Sequence, residues 1–316
     1  MKKILVLFLF ANCIFSLVAA KKNPEYSRAR KNGAEAKILL NITDDAGMGV
    51  SNVSVRVFMG MNFRPKGYWI NGETDVNGHF LIQGETCGDE IEIFISKNGY
   101  YDSHEKLCFA EMGKEHKVDN GKWQPYGEKY NMVIRKIKKP YAIGFGGKYM
   151  FTKKLNQWIG FDLQKYDFVY PYGKGKISDF EVMINWDGKW LPDYTGMGVN
   201  IRFVDPFSGY YEVPVQSVSK LKGPYVVSVE KEYRKTAQFF EKVVNSFERI
   251  RKPYDQNKCW VVRSRCNVDK DGNLTSSSYS VIHKISFCGE INGSGGVCVI
   301  GAFNPTPNDT NLEPKR

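Results

Sequence analysis

Three aromatic residues, Trp186, Trp190 and Tyr194, recur at four-residue steps in a stretch, residues 185–198, that is rich in Gly, Asp and Pro. That composition suits a loop more than a helix. Ring faces held on a loop stack on the apolar faces of sugars, while the neighbouring Asp187, Lys189 and Asp193 bond hydroxyls. Loops on rigid scaffolds commonly carry binding function. The trio is the candidate ligand-binding site. The competing reading puts the same rings over the core of their domain.

Other patterns that could carry chemistry are weaker. Asp269, Asp271 and Asn273 begin like a calcium loop, which needs Gly at its sixth position and Glu at its twelfth. Leu274 and Ser280 stand there, so a hairpin turn is expected. Gly144-Phe145-Gly146-Gly147-Lys148 and Gly173-Lys174-Gly175-Lys176 lack the spacing of a phosphate loop and read as surface loops. No GxSxG, HExxH or Ser–His–Asp order occurs. His79, His104, His116 and His283 have no metal-ligand spacing. No catalytic residue, metal or cofactor is assigned on these grounds. Two distant carboxylates can meet in any fold to hydrolyse a glycoside, but nothing singles out a pair.

The elements that must position these residues follow from a wider reading of the chain. Lys2 and Lys3, an apolar run from Ile4 to Val18, and Val18-Ala19-Ala20 make residues 1–20 a signal peptide with a cleavage site. The run is short for a membrane span, and no transmembrane segment is expected in the mature chain. Export in turn explains the cysteines. Cys13 belongs to the leader; Cys87, Cys108, Cys259, Cys266, Cys288 and Cys298 remain, an even number that reads as disulfides in an oxidising compartment. Cys87 and Cys108, isolated from the rest, are expected to pair; the last four allow three pairings.

Removing Lys2 and Lys3 from the 45 basic residues leaves 43 against 34 acidic, a formal charge of +9. Anionic polymers would feel that field. The basic residues are spread along the chain, however, with no nucleic-acid fold signature, so a soluble surface rich in Lys is the preferred reading and no nucleic acid is expected as partner.

With 316 residues the chain is long enough for two domains. Aromatics at 14%, with 30 Gly and 13 Pro, lean toward an all-β protein. Across residues 36–137, Val53, Val55 and Val57 alternate with Ser54, Arg56 and Phe58, and Ile91, Ile93 and Ile95 with Glu92 and Phe94. That period of two marks half-buried strands. Turn signals stand between them at Thr43 to Gly47, Asp75 to Gly78 and Lys97 to Tyr100. Strands at this spacing make a small β-sandwich.

The ordered set Asp45-x-Gly47, Gly49-Val50-x-Asn52-Val53-x-Val55, Thr74-Asp75-x-Asn77-Gly78-x-Phe80 and Gly99-Tyr100 resembles a carboxypeptidase-regulatory-like (prealbumin-like) domain. The resemblance implies a seven-stranded sandwich acting as a rigid appendage without catalytic residues. The insert from Met59 to Asn71, rich in aromatics and Gly, departs from that pattern and reads as an extended loop with a role of its own.

Residues 138–309 form a second, β-rich domain. Gly160-Phe161-Asp162-Leu163, Asp167-Phe168-Val169-x-Pro171-Tyr172-Gly173, Asp179-Phe180 and the ending from Phe303 to Glu313 resemble the C-terminal half of a family of uncharacterised exported bacterial proteins. That resemblance implies an all-β domain and transfers no activity. Strands over 260–268, 279–288 and 297–303 pair as consecutive hairpins. One segment dissents: Tyr233, Ala237, Phe240, Val244 and Phe247 recur at steps of four and three, which predicts an amphipathic helix over residues 230–249. The functional expectation is an exported, non-catalytic binding or structural module engaging a glycan, an envelope polymer or another extracellular protein. The alternative is an extracellular hydrolase or its accessory.

Overall fold

The computed structural model describes residues 24–60, 67–113, 117–141, 143–147, 149–189, 195–244, 248–290 and 292–315. The leader expected over residues 1–20 lies outside them. The fold is all-β and divides into two compact units, Met1–Lys136 and Ile137–Arg316.

The first unit opens with a short helix, α1 (Pro24–Asn32), stopped by Gly33. Gly33 takes a φ of 97° and donates its N–H to the Ala29 carbonyl, a left-handed cap that glycine adopts at least cost. Strand β1 (Ala34–Thr43) then points Ala34, Ala36, Ile38, Leu40 and Ile42 inward, every second residue.

β1 pairs antiparallel with β4 (His79–Thr86) and parallel with β9 (Glu128–Val133). Two-residue strands β7 (Val118–Asp119) and β8 (Lys122–Trp123) complete this five-stranded sheet. The second sheet runs β3 (Tyr68–Glu73), β2 (Ser54–Met59), β5 (Glu90–Ser96) and β6 (Ser103–Cys108), and a short helix, α2 (Phe109–Gly113), follows it. Val55, Val57, Met59, Ile91, Ile93 and Ile95 are buried, as the period of two requires. Among the described residues of this unit, seven of the nine strands have six or more residues.

The three turns fall at the expected places. At Asp75 the carboxylate accepts the N–H groups of Asn77 and His79 while Gly78 takes a φ of 81°. The insert from Met59 to Asn71 is not a loop throughout. Its last residues belong to β3, an edge strand in register with β2 from Ser54↔Glu73 to Met59↔Tyr68.

The second unit is a sandwich of two six-stranded sheets. One runs β13 (Asp167–Phe168), β12 (Trp158–Asp162), β14 (Phe180–Asn185), β15 (Gly196–Arg202), β17 (Thr236–Val243) and β18 (Arg249–Lys252). The other runs β10 (Ile143–Gly146), β21 (Gly295–Asn304), β20 (Leu274–Gly289), β19 (Lys258–Val268) and β16 (Gly209–Pro214), with β11 (Met150–Thr152) also on β21. Ile159, Phe180 and Val199 from the first sheet meet Trp260, Ile282 and Val299 from the second in one core. The second sheet is covered on its other face as well, where Val261, Val281 and Ala302 lie under Val227 and Leu312. Two covered faces explain the unbroken apolar runs in these strands.

The helix expected over residues 230–249 is absent. Residues 236–243 form β17, paired with β15 from Gly196↔Lys242 to Arg202↔Thr236, and residues 249–252 return as β18. The steps of four and three arise because Ala237 packs on the core side while Phe240, on the opposite side of the strand, is half-buried. Both faces of the strand carry apolar residues, and the combined spacing imitates a helical stripe. The calcium-like stretch is a hairpin turn, as expected. The Asp269 carboxylate accepts the N–H groups of Asp271 and Asn273, with Gly272 at a φ of 82°.

The ending from Phe303 to Glu313 acts as scaffold. The Glu313 carboxylate, almost fully buried, accepts the N–H groups of Lys138 and Lys139 at 2.6 Å each. Asn304 bonds the carbonyl of Asn311 at 2.8 Å, which folds the tail back on its own strand.

Candidate functional site

Of the three rings expected to bind ligand, Trp186 is only 3% exposed. It lies just past β14, donates its indole N–H to the Lys189 carbonyl at 3.2 Å, and presses on Gly289, where a Cβ would meet the ring at 2.7 Å. It belongs to the core of the second unit, and Trp190 and Tyr194 lie outside the described residues. A cavity of about 360 Å³ opens beside Trp186, with Met197, Phe240 and Phe287 in its wall. At its rim Glu241 is held by Arg249 at 2.8 Å and Arg251 at 2.6 Å.

Exposed aromatic residues occur in both units, and in the first unit they are part of a row of rings across one sheet. Because β2 and β5 point Val and Ile inward, the alternate positions Arg56, Phe58, Glu92 and Phe94 face outward. Register then fixes their neighbours: Phe58 lies opposite Trp69 on β3, and Phe94 lies between Arg56 on β2 and His104 on β6. The ring centroids of Trp69 and Phe58 are 5.2 Å apart, those of Trp69 and Phe94 5.5 Å, and those of Phe94 and His104 4.3 Å with the planes nearly parallel. The Arg56 guanidinium sits 4.6 Å from the Trp69 ring, a cation–π contact. Glu92 lies 3.4 Å from His104.

The stripe crosses all four strands, a span of about 14 Å at the usual strand spacing. Trp69 is 42% exposed. Two signals in the sequence pointed here: Phe58 and Phe94 occupy outward positions of strands whose inward positions are aliphatic, and Trp69 lies in the insert that breaks the family pattern.

The second unit also holds a polar cleft of about 800 Å³ lined by Asp179, Glu181, Asp205 and Arg265. Arg265 has a φ of 51°, in the left-handed region, at a break in the pairing of β19 with β20. Its guanidinium bonds Asp179 through Nε (2.9 Å) and Nη2 (3.0 Å), Asp162 through Nη2 (3.0 Å) and Gln164 through Nη1 (2.8 Å). Asp179 also accepts the Ser264 hydroxyl and the Leu163 N–H.

Burial works against the Asp162 charge. The N–H groups of Lys176, Lys165 and Ile177, with Arg265, outweigh it and hold the carboxyl below the usual range. Glu181 is engaged by Arg202. Asp162, Asp179 and Glu181 are each held by an arginine, which makes Arg265 a structural keystone of the cleft.

The six cysteines among the described residues carry free thiols in this structure, and the expected Cys87–Cys108 bond is not formed in it. Cys108 lies opposite Glu90 on β6, whereas the Cys87 N–H bonds the Gly60 carbonyl at the end of β2, on the other side of β5. Burial pushes Cys259 up to about 12 and Cys266 up to about 11. Among the described residues, no group of three or more His, Cys, Asp or Glu is placed to hold a metal.

No family model matches the chain, and no curated protein matches it. Among solved structures, a 3-chlorocatechol 1,2-dioxygenase from Rhodococcus opacus is 15% identical over 34% of this chain and 62% of its own length, with a TM-score of 0.26. A catechol 1,2-dioxygenase from Acinetobacter is 11% identical over 38% and 56%, with a TM-score of 0.25. A protein of unknown function from Bacteroides fragilis is 9% identical over 86% and 96%, with a TM-score of 0.20. Likeness at this level carries no argument about chemistry.

Proposed function

We propose that the protein is an exported, non-catalytic binding module that holds a glycan chain across the outer face of its first unit. The supporting observation is the stripe of Trp69, Phe58, Phe94 and His104 on the solvent side of a rigid sandwich. Contiguous aromatic surface left in water marks a contact site. Sugars suit it, because their C–H faces pack on aromatic rings while Arg56 and Glu92 bond hydroxyls along the flanks. Export rests on the leader in residues 1–20. The resemblance of this unit to carboxypeptidase-regulatory-like domains supports an appendage in place of an enzyme.

Retention on a panel of insoluble polysaccharides, compared between the wild type and Trp69→Ala and Phe94→Ala variants, tests the reading. The expected result is retention on one polymer class that both substitutions abolish. Equal retention of Trp69→Ala, or no retention of the wild type on any polymer, overturns it.

A further inference from the structure

In β20, Ile282 and Ile285 both face the core between the two sheets, although they are three residues apart. A regular strand would point them to opposite faces. The difference is absorbed by a bulge: Ile282 pairs with Gly301 and Lys284 with Ile300, so two steps on β20 match one on β21. The bulge turns His283 and Lys284 to the same side of the sheet, away from that core. Bulges recur where a strand must re-aim a side chain.

That side opens into a pocket of about 260 Å³ lined by His283, Lys284, Ile300, Gln256, Lys220 and Lys222. The two remaining lysines come from the segment between β16 and β17. Leu221, fully buried, anchors it, and the Lys222 carbonyl accepts the Gln216 N–H at 2.8 Å. Three lysines therefore converge on one concavity. Among the described residues none of them has a carboxylate partner, and Asp255, beside Gln256, is already engaged by Lys258 at 3.7 Å. His283, 8% exposed, forms the buried wall. Uncompensated ammonium groups at the mouth of a small pocket, with an amide beside them, are the complement of a compact oxyanion.

We propose that this pocket binds a tetrahedral oxyanion, a phosphate or sulfate group, either free or carried as a terminal ester. Lys220 and Lys222 from one segment and Lys284 from β20 supply charge, and Gln256 supplies a directional N–H donor. Burial, with Lys222 next, pushes the His283 imidazole down to about 3, so the positive charge of the pocket comes from the lysines. The site shares no residue with the aromatic stripe, and either proposal can fail alone.

The test is titration of the full chain, followed by NMR, with inorganic phosphate, inorganic sulfate and glycerol 3-phosphate at constant ionic strength. Saturable shifts confined to the pocket residues are expected, with binding about tenfold weaker in a Lys222→Gln/Lys284→Gln double variant. A Lys231→Gln/Lys270→Gln variant, which removes the same charge from exposed positions outside the pocket, should bind like the wild type. Saturation by glycerol 3-phosphate assigns an esterified ligand; saturation by the inorganic ions only assigns the free ion. Linear, non-saturating shifts, or equal weakening in both double variants, overturn the site.

Discussion

Trp69 and Trp186 began as comparable aromatic residues in Gly-rich stretches, and the two units use them in opposite ways. In the first unit the four-stranded sheet buries only one face. Its Val and Ile positions occupy that face, and the alternate positions lie on the outer face, where Phe58 and Phe94 are half-buried beside the exposed Trp69. In the second unit one sheet is covered on both faces and the other packs against it, so Trp186 and Trp260 are consumed by the core. An aromatic residue's value for binding depends on how many layers surround its strand, more than on its local composition.

The charged residues repeat the contrast. Arg56 lies in the open over a ring, whereas Arg265 ties two nearly inaccessible carboxylates together.

The sharpest way to break this comparison is at Arg265. Arg265→Ala leaves Asp162 and Asp179 buried without their cation and should cost about 3–5 kcal/mol. Arg265→Lys should recover little, since an ammonium cannot fork between two carboxylates. Guanidinium unfolding reads both; a loss within experimental error would make the network ornamental and reopen the cleft as a site.

Trp186→Ala should cost a similar amount, about 3–5 kcal/mol for a truncated core ring. Polysaccharide retention by the folded variant should be unchanged. Lost retention with an unaltered melt would return Trp186 to the ligand site.

Acid should weaken the second unit through His283. Its folded pKa lies below the ordinary value of about 6.5, so the unfolded chain takes up a proton that the folded chain refuses until about 3. Stability therefore falls as pH drops from about 6.5 toward 3, by on the order of 3 kcal/mol at about pH 4. Urea melts across that range should show a decline that His283→Gln largely removes. An identical decline in the variant would assign the acid lability elsewhere.

The smallest effect on stability belongs to Trp69→Ala, below about 1 kcal/mol for a surface ring. It carries the largest effect on binding. A loss of stability as large as that of Trp186→Ala would show that the stripe is packing.

The all-β class, the alternation that orients β2 and β5, and the turns at Asp75 and Asp269 were determined by the sequence alone. Each is a local matter: a period of two, or a carboxylate two residues from the N–H it caps. The same local reading went wrong at residues 236–243, where apolar residues on both faces of a strand add up to a helical spacing. At Trp186 the sequence left two readings open, ligand platform or core cap, and only the packing of the second unit decides for the core. The aromatic stripe was half legible, since Phe58 and Phe94 stand at outward positions, but only the register of β3, β2, β5 and β6 brings Trp69 and His104 to them. The Arg265 network joins residues 86 to 103 positions apart, and the three-lysine pocket brings Lys222 to Lys284. Only the tertiary structure decides such meetings, because strand pairing and bulges set which distant side chains share a face, and no spacing along the chain records them.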